Sequence, residues 1–183
     1  MTTVTLDYLK KIFPFHTEWE TKTIMDFYQE IRDGEATFDP VHHIRKVAVG
    51  YMQIQRPNGD WLMETSQVWQ NGHVIYRNCP MAGKLRLGKI GNTPLIETLR
   101  EVEEELGYSL HVLNNEVNVG AITFTESKIR KGEATAFPGV PCAWEDFHYH
   151  WNMPRMLEKP SYKEVDGKKT TYFGWVKDKP LVK

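Results

Sequence analysis

The spacing of apolar positions changes along this 183-residue chain, and the changes mark its elements. Near the N-terminus the repeat is helical. Thr5 to Phe13 and Glu18 to Arg32 read as two helical pieces, and Ile24, Phe27, Tyr28 and Ile31 make a stripe on one helix face. Gly34 to Pro40 reads as a linker. From residue 45 the period shifts toward two, with β-forming residues such as Val47, Val49 and Tyr51. Pro57-Asn58-Gly59-Asp60 marks a turn, Trp61 to Trp69 a return strand, Asn71-Gly72 a second turn, and His73 to Tyr76 a further extended piece. Beyond residue 107, Leu110 to Leu113 and Val117 to Phe124 read as strands, 125–145 as a long polar loop, and Phe147 to Trp151 and Thr170 to Val176 as the last strands. Strands before and after a central helix predict an α/β domain with a mixed sheet.

That central helix is the best-marked element. Leu95, Leu99, Val102 and Leu106 fall at i, i+4, i+7 and i+11 and form an apolar stripe. Thr93 suits the cap, Pro94 the first helical position and Gly107 a left-handed stop. On the other side, Glu101, Glu104 and Glu105 share one face, because residues three and four apart stack on a helix. Like charges so placed repel, and a hard divalent cation such as Mg²⁺ or Mn²⁺ relieves the conflict. A solvated acidic face is the plainer alternative. It accounts less well for the Arg100-Glu101 start, the Gly stop and the opposed apolar stripe.

Arg100-Glu101-Val102-Glu103-Glu104-Glu105-Leu106-Gly107-Tyr108 resembles the second half of the Nudix hydrolase signature at every fixed position. The first half departs from it. The signature's earlier Glu falls on Asn92 and its opening Gly on Arg86, with Gly83 and Gly88 on either side. Anchoring on Met81-Ala82-Gly83-Lys84-Leu85 lengthens the loop, and anchoring on Gly88-Lys89-Ile90-Gly91-Asn92 shortens it; the first gives the better loop pattern. Either way a neutral amide replaces an expected carboxylate, and an amide oxygen binds a hard cation more weakly. Glu97, one turn before Glu101, is a candidate to make up part of the loss or a plain helix-surface residue.

The resemblance implies an α/β/α sandwich over residues 41–183, with residues 1–40 as an N-terminal helical extension. It implies Mg²⁺- or Mn²⁺-dependent hydrolysis of a nucleoside diphosphate linked to another moiety, by attack of water at phosphorus. Glu101, Glu104 and Glu105 would then hold the metal, helped by the backbone carbonyl of Ala82, and Arg100 would orient a carboxylate. A base would come from a later segment, where Glu145 and Glu126 lead Glu133 and Asp146. Lys84, Arg86 and Lys89, in the irregular loop, are candidates to contact phosphates. Asn92 also keeps open a second class of function, a nucleotide-binding or regulatory module with little or no hydrolytic activity.

Composition narrows the partners. The net charge is −1 at pH 7, which disfavours nucleic acid and gives no strong pull toward a membrane. No apolar run reaches the ~18 residues that cross a bilayer, and the start lacks a signal-peptide pattern, so a cytoplasmic location is expected. Cys79 and Cys142 are too few for a disulfide framework or a zinc site and read as inert thiols. His148 and His150 share a strand face, where a role in the sheet is a simpler reading than metal binding. Trp61, Trp69 and Trp144 are candidates to stack on a base. A small-molecule substrate is expected, and residues 1–40 leave a homodimer open.

Overall fold

Helical stripes and alternating stretches sort into α and β elements in the computed structural model, which describes residues 4–20, 22–87 and 91–178. The helices are α1 (Leu6–Ile12), α2 (Ile24–Asp33), α3 (Pro94–Leu106) and α4 (Leu110–Asn118). The strands are β1 (Thr37–Asp39), β2 (Ile44–Gln55), β3 (Trp61–Trp69), β4 (Val74–Cys79), β5 (Met81–Lys84), β6 (Ile122–Glu133), β7 (Pro141–Asn152), β8 (Tyr162–Asp166) and β9 (Lys169–Val176). Among the described residues the strands form one nine-stranded sheet in the order β6-β7-β2-β3-β9-β8, with β1 and β5 on β2 and β4 on β3. The chain is an α/β protein.

Three stretches differ from the sequence expectation. Residues 110–118 form α4, not strands. Their apolar positions Leu110, Leu113 and Val117 fit a helix face, Ser109 caps the start by accepting from the Val112 N–H at 3.4 Å, and the Glu103 carboxylate accepts from the Leu110 N–H at 2.9 Å. Residues 125–145 are mostly strand, the end of β6 and the start of β7, joined by a tight turn in which the Val140 carbonyl accepts from the Ala134 N–H. The strand was hidden because β6 is exposed from Thr123 to Glu133, so it has no buried face to impose alternation. Part of the 34–40 linker is β1, paired antiparallel with β2.

The chain divides into two units. One comprises Met1–Val49, Lys84–Glu97 and Ser127–Phe147. Its core is aromatic: Phe13, Trp19, Phe27 and Phe38 from the N-terminal segment are buried with Phe137 and Val140. The Phe27 and Phe137 rings lie 5.0 Å apart. α2 is held by a capping box between Thr23 and Asp26 and stops at Gly34, whose φ of 78° suits glycine.

The other unit comprises Gly50–Gly83, Thr98–Glu126 and His148–Lys183. β3 is its axis, paired antiparallel with β4 on one side and β9 on the other, and β8 adds to β9. Leu99, Val102 and Leu106 are buried, as the apolar stripe predicts. So are Leu62, Met63, Trp151 and Phe173. Tyr108, just after α3, donates to the Leu157 carbonyl and meets the Tyr162 hydroxyl at 2.7 Å, which ties the helix end to the segment before β8.

Candidate functional site

α3 begins and ends as its sequence requires. The Thr93 hydroxyl accepts from the Ile96 N–H at 3.2 Å, and Gly107 takes a φ of 75°. The helix carries Arg100, Glu101, Glu104 and Glu105 in the second unit. The Arg100 guanidinium forks between two of the carboxylates. It donates to Glu104 at 2.5 Å and to Glu101 in a shorter contact. Such a fork removes rotamer freedom from both acids and fixes the direction of their remaining lone pairs.

Gly83 sits against Glu101. A Cβ at this position would fall inside the Glu101 carboxylate, so only glycine lets β5 pass so close. Ala82, its neighbour, is exposed. This contact places the Met81-Ala82-Gly83 segment beside the acidic helix.

Glu105 is the most perturbed acid of the set. Burial pushes its carboxyl up to about 9, reinforced by the negative charges of Glu164, Glu101 and Glu64 and opposed by Lys169. Glu164 of β8 is also raised, by burial first and by Asp166, Glu104 and Glu64, with Lys169 opposing. Glu64 of β3 is 8% exposed, and its Oε1 has no hydrogen-bond partner. Its Oε2 lies 3.4 Å from the Arg77 Nε and accepts from the Cys79 thiol at 3.5 Å. Carboxylate oxygens, one of them orphaned in the interior, are the donor set a hard divalent cation takes. Among the described residues, no group of three or more His, Cys, Asp or Glu side chains is already drawn together to hold one. The residues fit such a cation in the chemistry of their donors alone.

The irregular loop belongs to the first unit, and Glu97 organises it. Glu97 is 4% exposed, so it is neither a surface residue nor a free substitute for the missing carboxylate. Its Oε2 accepts from the Arg86 N–H at 3.1 Å, and its Oε1 accepts from the Asn92 Nδ2 at 2.8 Å. The same Asn92 nitrogen donates to the Arg86 carbonyl at 2.9 Å. A carboxylate at position 92 could make neither donation. The amide that departs from the signature is thus required by its neighbours.

Lys84 is half-buried and donates to Glu30, with Glu35 at 3.7 Å. Arg86 lies 3.8 Å from Glu35. Glu30 is also bonded to Arg45 at 2.5 Å and to Lys22 at 2.7 Å. Burial raises the Glu30 carboxyl, but Arg45, Lys22 and Lys84 together bring it down to about 2. Lys84 therefore serves the packing of α2, a role its sequence position did not signal. Lys89 lies outside the described residues.

Glu126 is exposed on β6, and Glu145 is exposed on β7. Glu145 lines a cavity of about 390 Å³ in the first unit, with Trp144, Val47, Leu85, Leu87 and Ile129 among its walls. Trp144 is braced by the Arg130 guanidinium, 5.1 Å over its ring, and Arg130 in turn bonds the buried Asp146. Trp144 thus lines a cavity, whereas Trp61 is buried against His150, ring centroids 5.4 Å apart. His148 is buried and stacks on Tyr51 at 4.7 Å, a role within the sheet. Cys142 is buried and Cys79 half-buried, both are unpaired, and burial raises both thiols.

No family model matches the chain, and no curated protein matches it. Solved structures do resemble it. A binary complex of an Ap4A hydrolase from C. elegans is 16% identical, covering 70% of this chain and 78% of its own, with a TM-score of 0.37. A NUDIX hydrolase from Nitrosomonas europaea is 15% identical, covering 70% and 72%, with a TM-score of 0.36. The RNA complex of MERS1 from T. brucei is 10% identical, covering 75% and 42%, with a TM-score of 0.38. At these levels the similarity says nothing about activity.

Proposed function

We propose that this protein is a divalent-metal-dependent hydrolase that cleaves the pyrophosphate bond of a nucleoside diphosphate linked to another moiety. The observation that carries this reading is the acidic face of α3. Glu101 and Glu104 are held by one guanidinium, Glu101 lies against the Gly83 backbone, and Glu105 is half-buried, with the charges of further carboxylates bearing on it. An arrangement so costly in repulsion and desolvation is expected where a cation is to be bound. Mg²⁺ or Mn²⁺ there would offset phosphate charge and acidify an attacking water.

The protein's own groups divide the remaining work. Arg100 is the positioning residue for Glu101 and Glu104, and the backbone at Ala82 is the candidate carbonyl beside them. The cavity of the first unit, walled by Trp144 and aliphatic side chains, suits a flat, weakly polar ring such as a nucleobase. Glu145, which lines it, and Glu126, on the unit that carries the acidic face of α3, are the candidate proton acceptors. Arg86 is the candidate for phosphate contact, since the Lys84 ammonium is already matched by Glu30. The substrate is a small nucleotide, and no helix among the described residues is long and apolar enough to cross a membrane.

A screen of nucleoside diphosphate derivatives with Mg²⁺ or Mn²⁺, read as released product, tests this directly. Turnover that is lost in Glu101→Gln and Glu105→Gln is the expected result. Asn92 and the open spacing of the carboxylates favour a second reading, a nucleotide-binding module without hydrolysis. Nucleotide binding with no turnover for any substrate or metal would select it.

A further inference from the structure

The cavity of the first unit is mostly apolar, and a carboxylate in its lining has nothing to accept. Ala48 of β2 and Ala143 of β7 line it, together with Leu85, Leu87 and Ile129. Small side chains on a sheet leave a flat floor, which suits a planar ring. Glu35 lines the same cavity.

The backbone fixes where Glu35 stands. α2 ends at Gly34, whose φ of 78° turns the chain. The Glu35 and Ala36 N–H groups then both donate to the Glu30 carbonyl, at 3.0 and 3.1 Å. The Glu35 side chain is 26% exposed. Its oxygens lie 3.7 Å from the Lys84 Nζ and 3.8 Å from the Arg86 Nε, too far for hydrogen bonds. Among the described residues its carboxylate accepts no hydrogen bond. Both oxygens are therefore open to a ligand that brings N–H donors into the cavity. Glu145, the other carboxylate in the lining, is exposed, so water competes for its lone pairs.

The bases differ in the donors they can offer. Uracil presents one N–H between two carbonyls. Adenine and cytosine present an amine beside an acceptor nitrogen. Guanine presents two donors side by side, the N1–H and the 2-amine, and a carboxylate accepts such a pair at once. We propose that this cavity selects guanine among the bases, and that Glu35 reads it by accepting from the N1–H and the 2-amine. The inference rests on the nucleotide reading above and names its base. It makes Glu35 a specificity-determining residue, apart from the acidic face of α3.

Binding of GDP, IDP and ADP to the whole protein, measured by calorimetry in chelator, tests this. IDP differs from GDP only by lacking the 2-amine. GDP is expected to bind about tenfold or more tighter than IDP or ADP. Glu35→Gln replaces two acceptors by one acceptor and one donor, so it should bind GDP and IDP within about threefold of each other. Ala143→Leu fills the floor and should abolish binding of all three. If the wild type binds the three alike or binds none, the inference is wrong. It also falls if Glu35→Gln weakens all three by one factor and keeps the preference for GDP, since that is a packing role. Binding that survives Ala143→Leu would put the nucleotide elsewhere and overturn it too. Turnover with Mg²⁺ or Mn²⁺ is read separately. A preference for GDP that depends on Glu35, with no turnover of any substrate, would refute the hydrolase reading and support this one.

Discussion

Asn92 donates to two acceptors, and both belong to residues that shape the loop before α3. Replacing it with Glu removes both donations and sets a carboxylate against buried Glu97. Asn92→Glu is therefore expected to cost about 1–3 kcal/mol in denaturant unfolding, and it should not raise activity. Gly83→Ala is predicted to act differently. Its methyl would displace the Glu101 carboxylate, so turnover should fall steeply while the melting temperature moves little, provided the Glu101 side chain swings aside. Glu30 sets the acid limit. Its carboxyl lies near 2 in the folded protein against an ordinary 4.5, so its contribution is complete above about pH 4.5 and is lost as pH falls toward 2. Glu30→Gln leaves buried Arg45 without its counter-charge and should destabilise by about 3–5 kcal/mol at neutral pH, with a flatter acid limb in a pH series of melts.

Elements were legible where a buried face imposed a rhythm. β3 and β9 matched their predicted spans within a residue, and α3 was bounded at both ends, because each carries buried positions at its own period. β6 has almost no buried side chain and so left no rhythm to read. α4 was misread because Val112 and Val117 are β-formers and its apolar residues are few; Ser109 and Glu103 of the preceding helix cap its start. α3 gives a clean contrast for experiment. Leu99→Ala, on its buried side, should cost about 2–5 kcal/mol by chemical denaturation. Glu104→Gln, on the exposed side, should leave stability nearly unchanged and weaken Mn²⁺ binding in calorimetry.

Across the whole molecule, chemistry-bearing residues that the chain scatters fall into two units. The acidic face of α3 was visible from local spacing alone. Glu64 and Glu164, whose charges bear on Glu105, were not, because they lie on strands far from α3 in sequence. The cavity beside Trp144 was equally hidden, since its walls come from separate segments. The small ring closed by Asn92 and Glu97 bears on exchange with solvent. Arg86 is held at its N–H and at its carbonyl, and Asn92 by its side chain, so both ends of the stretch between them are clasped. A clasp of this kind also shields what it holds from solvent. In Glu97→Ala the Arg86 amide hydrogen loses its acceptor, so it is expected to exchange with deuterium about tenfold or more faster than in the wild type, as read by hydrogen exchange.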